Sequence, residues 1–232
     1  MNNFQIKLLW KVFSNITGGD PISKEHFQGV DMCHLGENYI SDFTILEDLL
    51  DRMDINEKPQ DLYDMYELLE MNKTIIMHSE FEQIKDWNEY VSWEREMPFH
   101  IIYNCGKSAH LMNQKSFFET VHDWAGVGTY MVHSVPFFSH VESSVLTYTP
   151  SFFAKLCGAN QYDMVAAYIG TTTTERFTKM DISYDYAGNA YNEKFKFNHW
   201  GSGEDKGYKR PAHIGVILRK TVNEPFQLPV YV

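Results

Sequence analysis

The sequence predicts one α/β domain with a doubly wound, mostly parallel sheet, and two observations favour this fold class. Segments with helical spacing of apolar residues alternate with short, continuous apolar runs of strand length. The chain has 232 residues, of which 44% are hydrophobic, and this is enough for a single extended core. Strands that alternate with helices pair in parallel and are covered on both faces.

The N-terminal half opens with a helical segment, residues 1–28, that precedes the first strand. Thr44 and Glu47 have the spacing of a capping box, which marks the start of a later helix. The predicted elements of this half are a helix with Leu9, Val12, Phe13 and Ile16 on one face, a strand over residues 29–36, helices over residues 45–50 and 62–69, and a strand over residues 74–77.

The C-terminal half continues the alternation up to a long polar segment. Thr149 followed by Pro150 is typical of an N-cap and a first helical residue. Residues 170–211 have no helical period, so we expect an insertion before the last strand that covers one end of the sheet and carries a short hairpin. The other elements are strands over residues 99–103, 129–135, 162–169 and 213–219, and helices over residues 113–125 and 149–156.

Charge and composition exclude several classes of partner. The net charge is −11, and residues 42–70 hold ten acidic side chains against only Arg52 and Lys58, so this region would repel a nucleic-acid backbone. No apolar run is long enough to span a membrane. Three widely spaced cysteines without a CxxC pair indicate free thiols, and the N-terminus does not have the pattern of a signal peptide. We therefore expect a cytoplasmic protein.

In a doubly wound sheet the ligand site lies beyond the carboxyl ends of the strands. Three strand ends are candidates: residues 35–38, residues 78–80 and residues 104–107. Glycine occurs in the first and third of these turns, at Gly36 and Gly106. The predicted site is therefore a cleft formed by these three turns.

From residue 99 onward, the motifs at these strand ends form an ordered set. Residues 99–114 read FHIIYNCGKSAHLMNQ, and Gly128, His133, Pro136 and Phe137 follow in a helix, turn and strand pattern. Residues 148–153 read YTPSFF, residues 159–162 read ANQY, and the last strand ends in VILRKT. This set resembles the class I S-adenosylmethionine-dependent methyltransferases, in particular a bacterial and phage-type subgroup of uncharacterised members, over about half of the chain.

The resemblance implies a Rossmann-like sheet of seven strands with helices on both faces, and S-adenosylmethionine as the cofactor. It implies that Leu35, Gly36 and Glu37 form the cofactor turn after the first strand. Glu80 is then the candidate for binding the ribose hydroxyls. The alternative is that Glu80 is an exposed acidic residue in a loop. The strand over residues 99–103 corresponds to the subgroup's fourth strand, and the cofactor residues that follow it are Asn104, Cys105 and Gly106.

Methyl transfer needs mainly orientation and, for some acceptors, a base. The predicted rim of the site consists of residues 107–110 and 137–148, and its His110 and His140 are the candidate catalytic residues. The candidates for binding a small or saccharide-like acceptor are His133, Glu142 and Tyr148. For the histidines the alternative is a structural role, and for Tyr148 it is core packing. The histidines lack the spacing of a metal site, and we expect no metal.

Two departures from the subgroup leave a second function open. Its acidic residue after the fourth strand is Ala109 here, and its His-Gly pair beyond the fifth strand is Ser143-Ser144. The chain is then either an active methyltransferase or a catalytically silent relative that serves as a binding or assembly subunit. A third interpretation, an enzyme for a phosphorylated ligand, depends only on the basic residues between Lys194 and Lys220.

Overall fold

The computed structural model describes residues 4–5, 8, 11–12, 29–31, 88–92, 99–138, 144–171, 177–180, 183–184, 190–191 and 212–229. The helices predicted over residues 45–50 and 62–69 and the strand predicted over residues 74–77 lie outside these ranges. No helix in the described part of the chain is long and apolar enough to cross a membrane.

The described elements follow one another in the predicted order in the C-terminal half. They are β1 (Gly29–Asp31), β2 (Phe99–Asn104), the 3-10 helix η1 (Lys107–His110), α1 (Gln114–Trp124), β3 (Ala125–Phe138), α2 (Pro150–Asn160), β4 (Asp163–Thr171), β5 (Phe177–Met180), β6 (Ser183–Tyr184), β7 (Ala190–Tyr191) and β8 (Ala212–Arg219). The strand predicted over residues 29–36 is described for its first three residues. Phe4, Gln5, Leu8, Lys11 and Val12 are helical.

Both α-helices begin at side chains that accept hydrogen bonds from the first turn. The Asn113 side chain accepts from the Ser116 amide at 3.2 Å. Thr149 accepts from the Phe152 amide at 3.3 Å, and Pro150 occupies the first helical position, where its missing N–H is not needed. The predicted start of the second helix is therefore confirmed. It ends at Gln161, whose φ of 54° is left-handed.

The sheet corrects the predicted fold class. Within the described residues it has six strands in the order β1-β2-β3-β8-β4-β5. Only the pairs β1–β2 and β2–β3 are parallel, while β3–β8, β8–β4 and β4–β5 are antiparallel. The expectation of a seven-stranded, mostly parallel, doubly wound sheet is wrong, because the second half of the sheet is antiparallel.

The direction of β8 was hidden by its composition. Seven of its eight residues are buried, so the strand reads as a continuous apolar run. Such a run predicts a strand covered on both faces, but it carries no information on the strand's direction. The sequence pattern predicted the strand correctly, but its parallel pairing was predicted wrongly.

The segment before β8 is partly built into the sheet. β5 pairs with β4, from Ala167 opposite Met180 to Gly170 opposite Phe177. β6 and β7 pair with each other in a separate two-stranded sheet. The described part of the expected insertion therefore contributes an edge strand and a short antiparallel pair.

The main core lies between one face of the sheet and both α-helices. Phe118 of α1 and Phe153 of α2 contact His133 of β3, with ring centroids 5.4 and 5.6 Å apart, so both helices cover the same face. The helical residues Phe4 and Leu8 lie on the opposite face, against Gly215 of β8. This places the carboxyl ends of β2 and β3 between covered faces.

Candidate functional site

The three parallel strands end at one edge of the sheet. Asp31 of β1 is in register with Tyr103 of β2, and Asn104 is in register with His133 of β3. Their carboxyl ends therefore point the same way. This shared edge, here called the carboxyl edge, contains Asn104, Cys105 and Gly106, three of the residues expected to bind the cofactor.

The chain leaves β2 through a tight turn at Gly106. Its φ is 100°, in the left-handed region that disfavours a side chain. The Ala109 amide donates to the Gly106 carbonyl at 3.0 Å, which starts η1 immediately after the turn. A Cβ on Gly106 would only touch the Ser134 carbonyl oxygen, at 3.7 Å. Backbone conformation, and not crowding, therefore requires glycine here.

The Asn104 side chain stabilises this turn through hydrogen bonds to Ser108. It is fully buried, and its Nδ2 donates to Ser108 Oγ at 2.9 Å and lies 3.2 Å from Nδ1 of His133. The Ser108 amide donates back to Asn104 Oδ1 at 3.4 Å. Because a buried amide must satisfy both its donor and acceptor atoms, these bonds fix the turn relative to β3.

His133 lies inside the core and not at the rim. Since the Asn104 amide donates, Nδ1 of His133 accepts and the ring is neutral. Complete burial lowers the pKa of His133 to about 3. The residue predicted to bind the acceptor is therefore placed as a neutral support of the turn.

Tyr148 joins the segment after β3 to the start of α1. Its hydroxyl donates to Oε1 of Gln114 at 2.5 Å. The Gln114 amide in turn donates to the carbonyls of Ser108 and Leu111, at 2.8 and 2.6 Å. Burial raises the pKa of Tyr148 to about 12, so it keeps its proton near neutral pH. Tyr148 is 4% exposed and packs against Phe152 and Phe153.

The rim itself is formed by η1 and the segment that follows residue 143. Ala109 is fully buried, and its carbonyl accepts from the amides of Val145 and Leu146, both at 3.0 Å. His110, the next residue, is exposed at the end of η1. Of the two predicted catalytic residues, His110 is thus at the carboxyl edge and accessible.

Cys105 is half-buried in the turn, and its thiol donates to the Tyr103 hydroxyl at 3.2 Å. The other predicted site residues lie outside the described residues: Leu35, Gly36, Glu37, Glu80, His140 and Glu142. Within the described ranges, no three His, Cys, Asp or Glu side chains gather as a metal site would require.

Ser108 and Gln114 are not among the site residues predicted from the sequence, although both belong to the network at the carboxyl edge. Both lie in the motif at residues 99–114, where the resemblance assigned them no role. For Ser108 the signal is its spacing from Asn104, because a serine four residues after an asparagine at a strand end can close the turn through both side chains. No comparable signal indicates Gln114.

Comparison with known proteins adds no family to this description. No protein-family model matches the chain, and no curated protein matches it. The methyltransferase resemblance remains an expectation from the motifs.

Proposed function

We propose that the chain binds S-adenosylmethionine at the carboxyl edge and transfers its methyl group to a small or saccharide-like acceptor. The observation that carries this proposal is the glycine turn at the end of β2, between two parallel strands. A turn without a side chain lets a ligand approach the backbone closely. Parallel strands place such turns together at the same edge, where ligands bind in open sheets.

The network beneath the turn fits a reaction that depends on orientation. A sulfonium methyl group is already activated, so the protein mainly has to align it with the acceptor. Asn104, Ser108 and His133 hold the turn through buried hydrogen bonds, which keeps its geometry fixed. His133 and Tyr148 do not exchange protons near neutral pH. Among the residues that the structure describes, the exposed His110 is therefore the candidate for the general base.

Binding is tested by titration calorimetry with S-adenosylhomocysteine. We expect saturable binding that Gly106→Ala weakens about tenfold, because a left-handed alanine costs about 1–2 kcal/mol and shifts the turn. Gly128→Ala is the matched control: Gly128 has a φ of 95° and open space around it, but it lies near the start of β3. A flat titration at millimolar ligand, or equal weakening by both variants, contradicts the proposal.

Turnover is tested by following cofactor consumption with a panel of sugars, small acids and amines. If His110 acts as the base, His110→Ala lowers turnover by about 10²–10⁴-fold and leaves the affinity for S-adenosylhomocysteine unchanged. His100→Ala is the control, since His100 is also exposed but lies at the opposite end of β2. Equal activity of both variants would remove His110 from the mechanism.

A silent binding subunit is the second candidate, and Ala109 favours it. The subgroup has an acid where this chain has a fully buried alanine whose carbonyl joins the two sides of the rim. That position therefore presents no side chain to an acceptor. Saturable binding of S-adenosylhomocysteine without turnover on any acceptor would support this second function over the first.

A further inference from the structure

The segment that follows β8 lies across the ends of both α-helices. Residues 221–228, here called the strap, are held by paired bonds to Asn160 at the end of α2. The Gln227 amide donates to Asn160 Oδ1 at 2.8 Å, and Asn160 Nδ2 donates to the Gln227 carbonyl at 2.9 Å. The Thr221 hydroxyl also donates to the Gln161 carbonyl. One buried asparagine thus holds both backbone groups of one strap residue.

His122 of α1 is the second anchor of the strap. Its Nε2 lies 2.7 Å from the Glu224 carbonyl, and its Nδ1 lies 2.5 Å from the Tyr162 hydroxyl. A carbonyl can only accept, so Nε2 carries a proton, and in the neutral ring Nδ1 then accepts from the Tyr162 hydroxyl. The Phe226 ring packs on the imidazole at 5.7 Å, and His122 is 2% exposed. The strap therefore covers the His122 ring and is bonded to it.

The charges around His122 disfavour its protonation. Lys220, at the end of β8, is buried and donates its Nζ proton to the His122 carbonyl at 2.9 Å. Burial and then Lys220 lower the pKa of His122, while the bond to the Glu224 carbonyl and the charges of Asp123 and Glu119 partly oppose them. Further titratable groups on the packed segments are Tyr162, which is bonded to Nδ1, Cys157, which acts on Tyr162, and the carboxyl group of Glu224 on the strap. The net effect of burial and the surrounding charges is to lower the pKa of His122.

We propose that the strap is a pH-sensitive latch, closed over neutral His122 and released when the imidazole takes up a proton. An imidazolium would add a second positive charge beside Lys220 and would turn a donor on Nδ1 toward the Tyr162 hydroxyl. In the closed state, Glu224, Pro225 and Gln227 of the strap form one side of a pocket of about 200 Å³ that His122, Asn160 and Gln161 line from the other side. Release removes the strap side of this pocket and exposes His122.

The direction of the pH response follows from linkage. The closed state binds the proton less well than a free histidine, so closure is fully favoured above about pH 6.5 and is lost as the pH falls below it. Because one proton is involved, closure weakens by at most about tenfold per pH unit. Linkage is reciprocal, so opening the strap by mutation must raise the pKa of His122 by the matching factor.

The first test is an NMR titration of the His122 ring in the full chain. Gln227→Pro removes the amide that donates to Asn160 and lies on the exposed strap, so the core is left intact. We expect its His122 to titrate at a higher pH than in the unmodified chain. Asn223→Ala is the control, an exposed strap residue whose replacement should leave the titration unchanged. An equal or lower pKa in Gln227→Pro overturns the proposal.

The second test is amide hydrogen exchange of the strap, expressed as protection relative to β8 at each pH. Strap protection should fall several-fold between pH 7 and pH 5, and His122→Gln, which retains a donor for the Glu224 carbonyl but cannot titrate, should abolish this fall. His110→Gln is the control and should retain it. Protection that does not depend on pH, or a fall that persists in His122→Gln, contradicts the latch.

Discussion

At the level of single residues, the described candidate site contains two side chains that were expected to bind the acceptor and are instead built into the core. His133 is bonded to Asn104 and packed between Phe118 and Phe153. Tyr148 is bonded to Gln114. His133 is in register with Asn104 at the end of β2, and Tyr148 is joined to the start of α1 through Gln114. For His133 the sequence could not show which face of β3 the side chain occupies, because residues on both faces of β3 are buried.

The buried imidazole of His133 makes stability depend on pH. The pKa of His133 is lowered to about 3, so its contribution to folding is complete above about pH 6.5 and is lost as the pH falls toward 3. His133→Gln should reduce the slope of unfolding free energy against pH by up to about 1.4 kcal/mol per unit in this window. Urea unfolding between pH 7 and pH 4 measures it, with His110→Gln as the exposed control. Parallel pH profiles for His133→Gln and the unmodified chain would contradict the assignment.

At the level of elements, the rim depends on one glutamine that joins three segments. Gln114 bonds to η1, to Leu111 and to Tyr148, which precedes α2. The helix that carries Gln114 was predicted from its apolar face and is confirmed with bounds one residue shorter at each end. The cross-links were not predicted, because hydrogen bonds between distant segments leave no periodic pattern in a sequence.

Removing these bonds should loosen the rim. Gln114→Ala leaves the part-buried carbonyls of Ser108 and Leu111 without this donor and should lower stability by about 1–3 kcal/mol. Amide exchange of Leu111 and Leu146 should become faster, while exchange in β8 changes less. Lys115→Ala, at the exposed neighbouring position, is the control and should have little effect. Unchanged exchange at Leu111 in Gln114→Ala would show that the rim is held by other contacts.

At the level of the whole molecule, the sheet is covered from its second face by the N-terminal helical residues. Phe4, Leu8 and Val12 are spaced four residues apart and are almost completely buried. The predicted apolar face shared only Val12 with this set, since Leu9, Phe13 and Ile16 lie outside the described residues. Gly215 provides the space: a Cβ there would lie 2.8 Å from Leu8 Cδ2 and 2.9 Å from the Phe4 ring.

The close approach at Gly215 can be measured by a double-mutant cycle. Gly215→Ala should lower the unfolding free energy by about 1–3 kcal/mol through overpacking. Leu8→Ala alone should cost about 2–5 kcal/mol. Combined, the two should cost less than their sum, because the smaller side chain makes room for the new methyl group. Strict additivity in urea unfolding would mean that Leu8 and Gly215 do not share this contact.

The overall fold was predictable in its elements and not in its assembly. Strands β2, β3, β4 and β8 and both α-helices appear where the apolar patterns and the Thr149-Pro150 cap indicated them. Their alternation implied mostly parallel pairing, but three of the five pairings described in the six-stranded sheet are antiparallel. Direction depends on how a connection returns to the sheet, and the polar residues 170–211 carry no period that indicates this.

The position of β8 also sets an order of events during synthesis. β8 inserts between β3 and β4, although residues 172–211 separate it from β4 in the chain. A ribosome therefore completes β3 and β4 well before the strand that joins them exists, and each presents an open edge until then. Open edges pair readily with other chains, and distant pairings form slowly. Until residues 212–219 emerge, the facing edges of β3 and β4 therefore remain open to pairing with other chains.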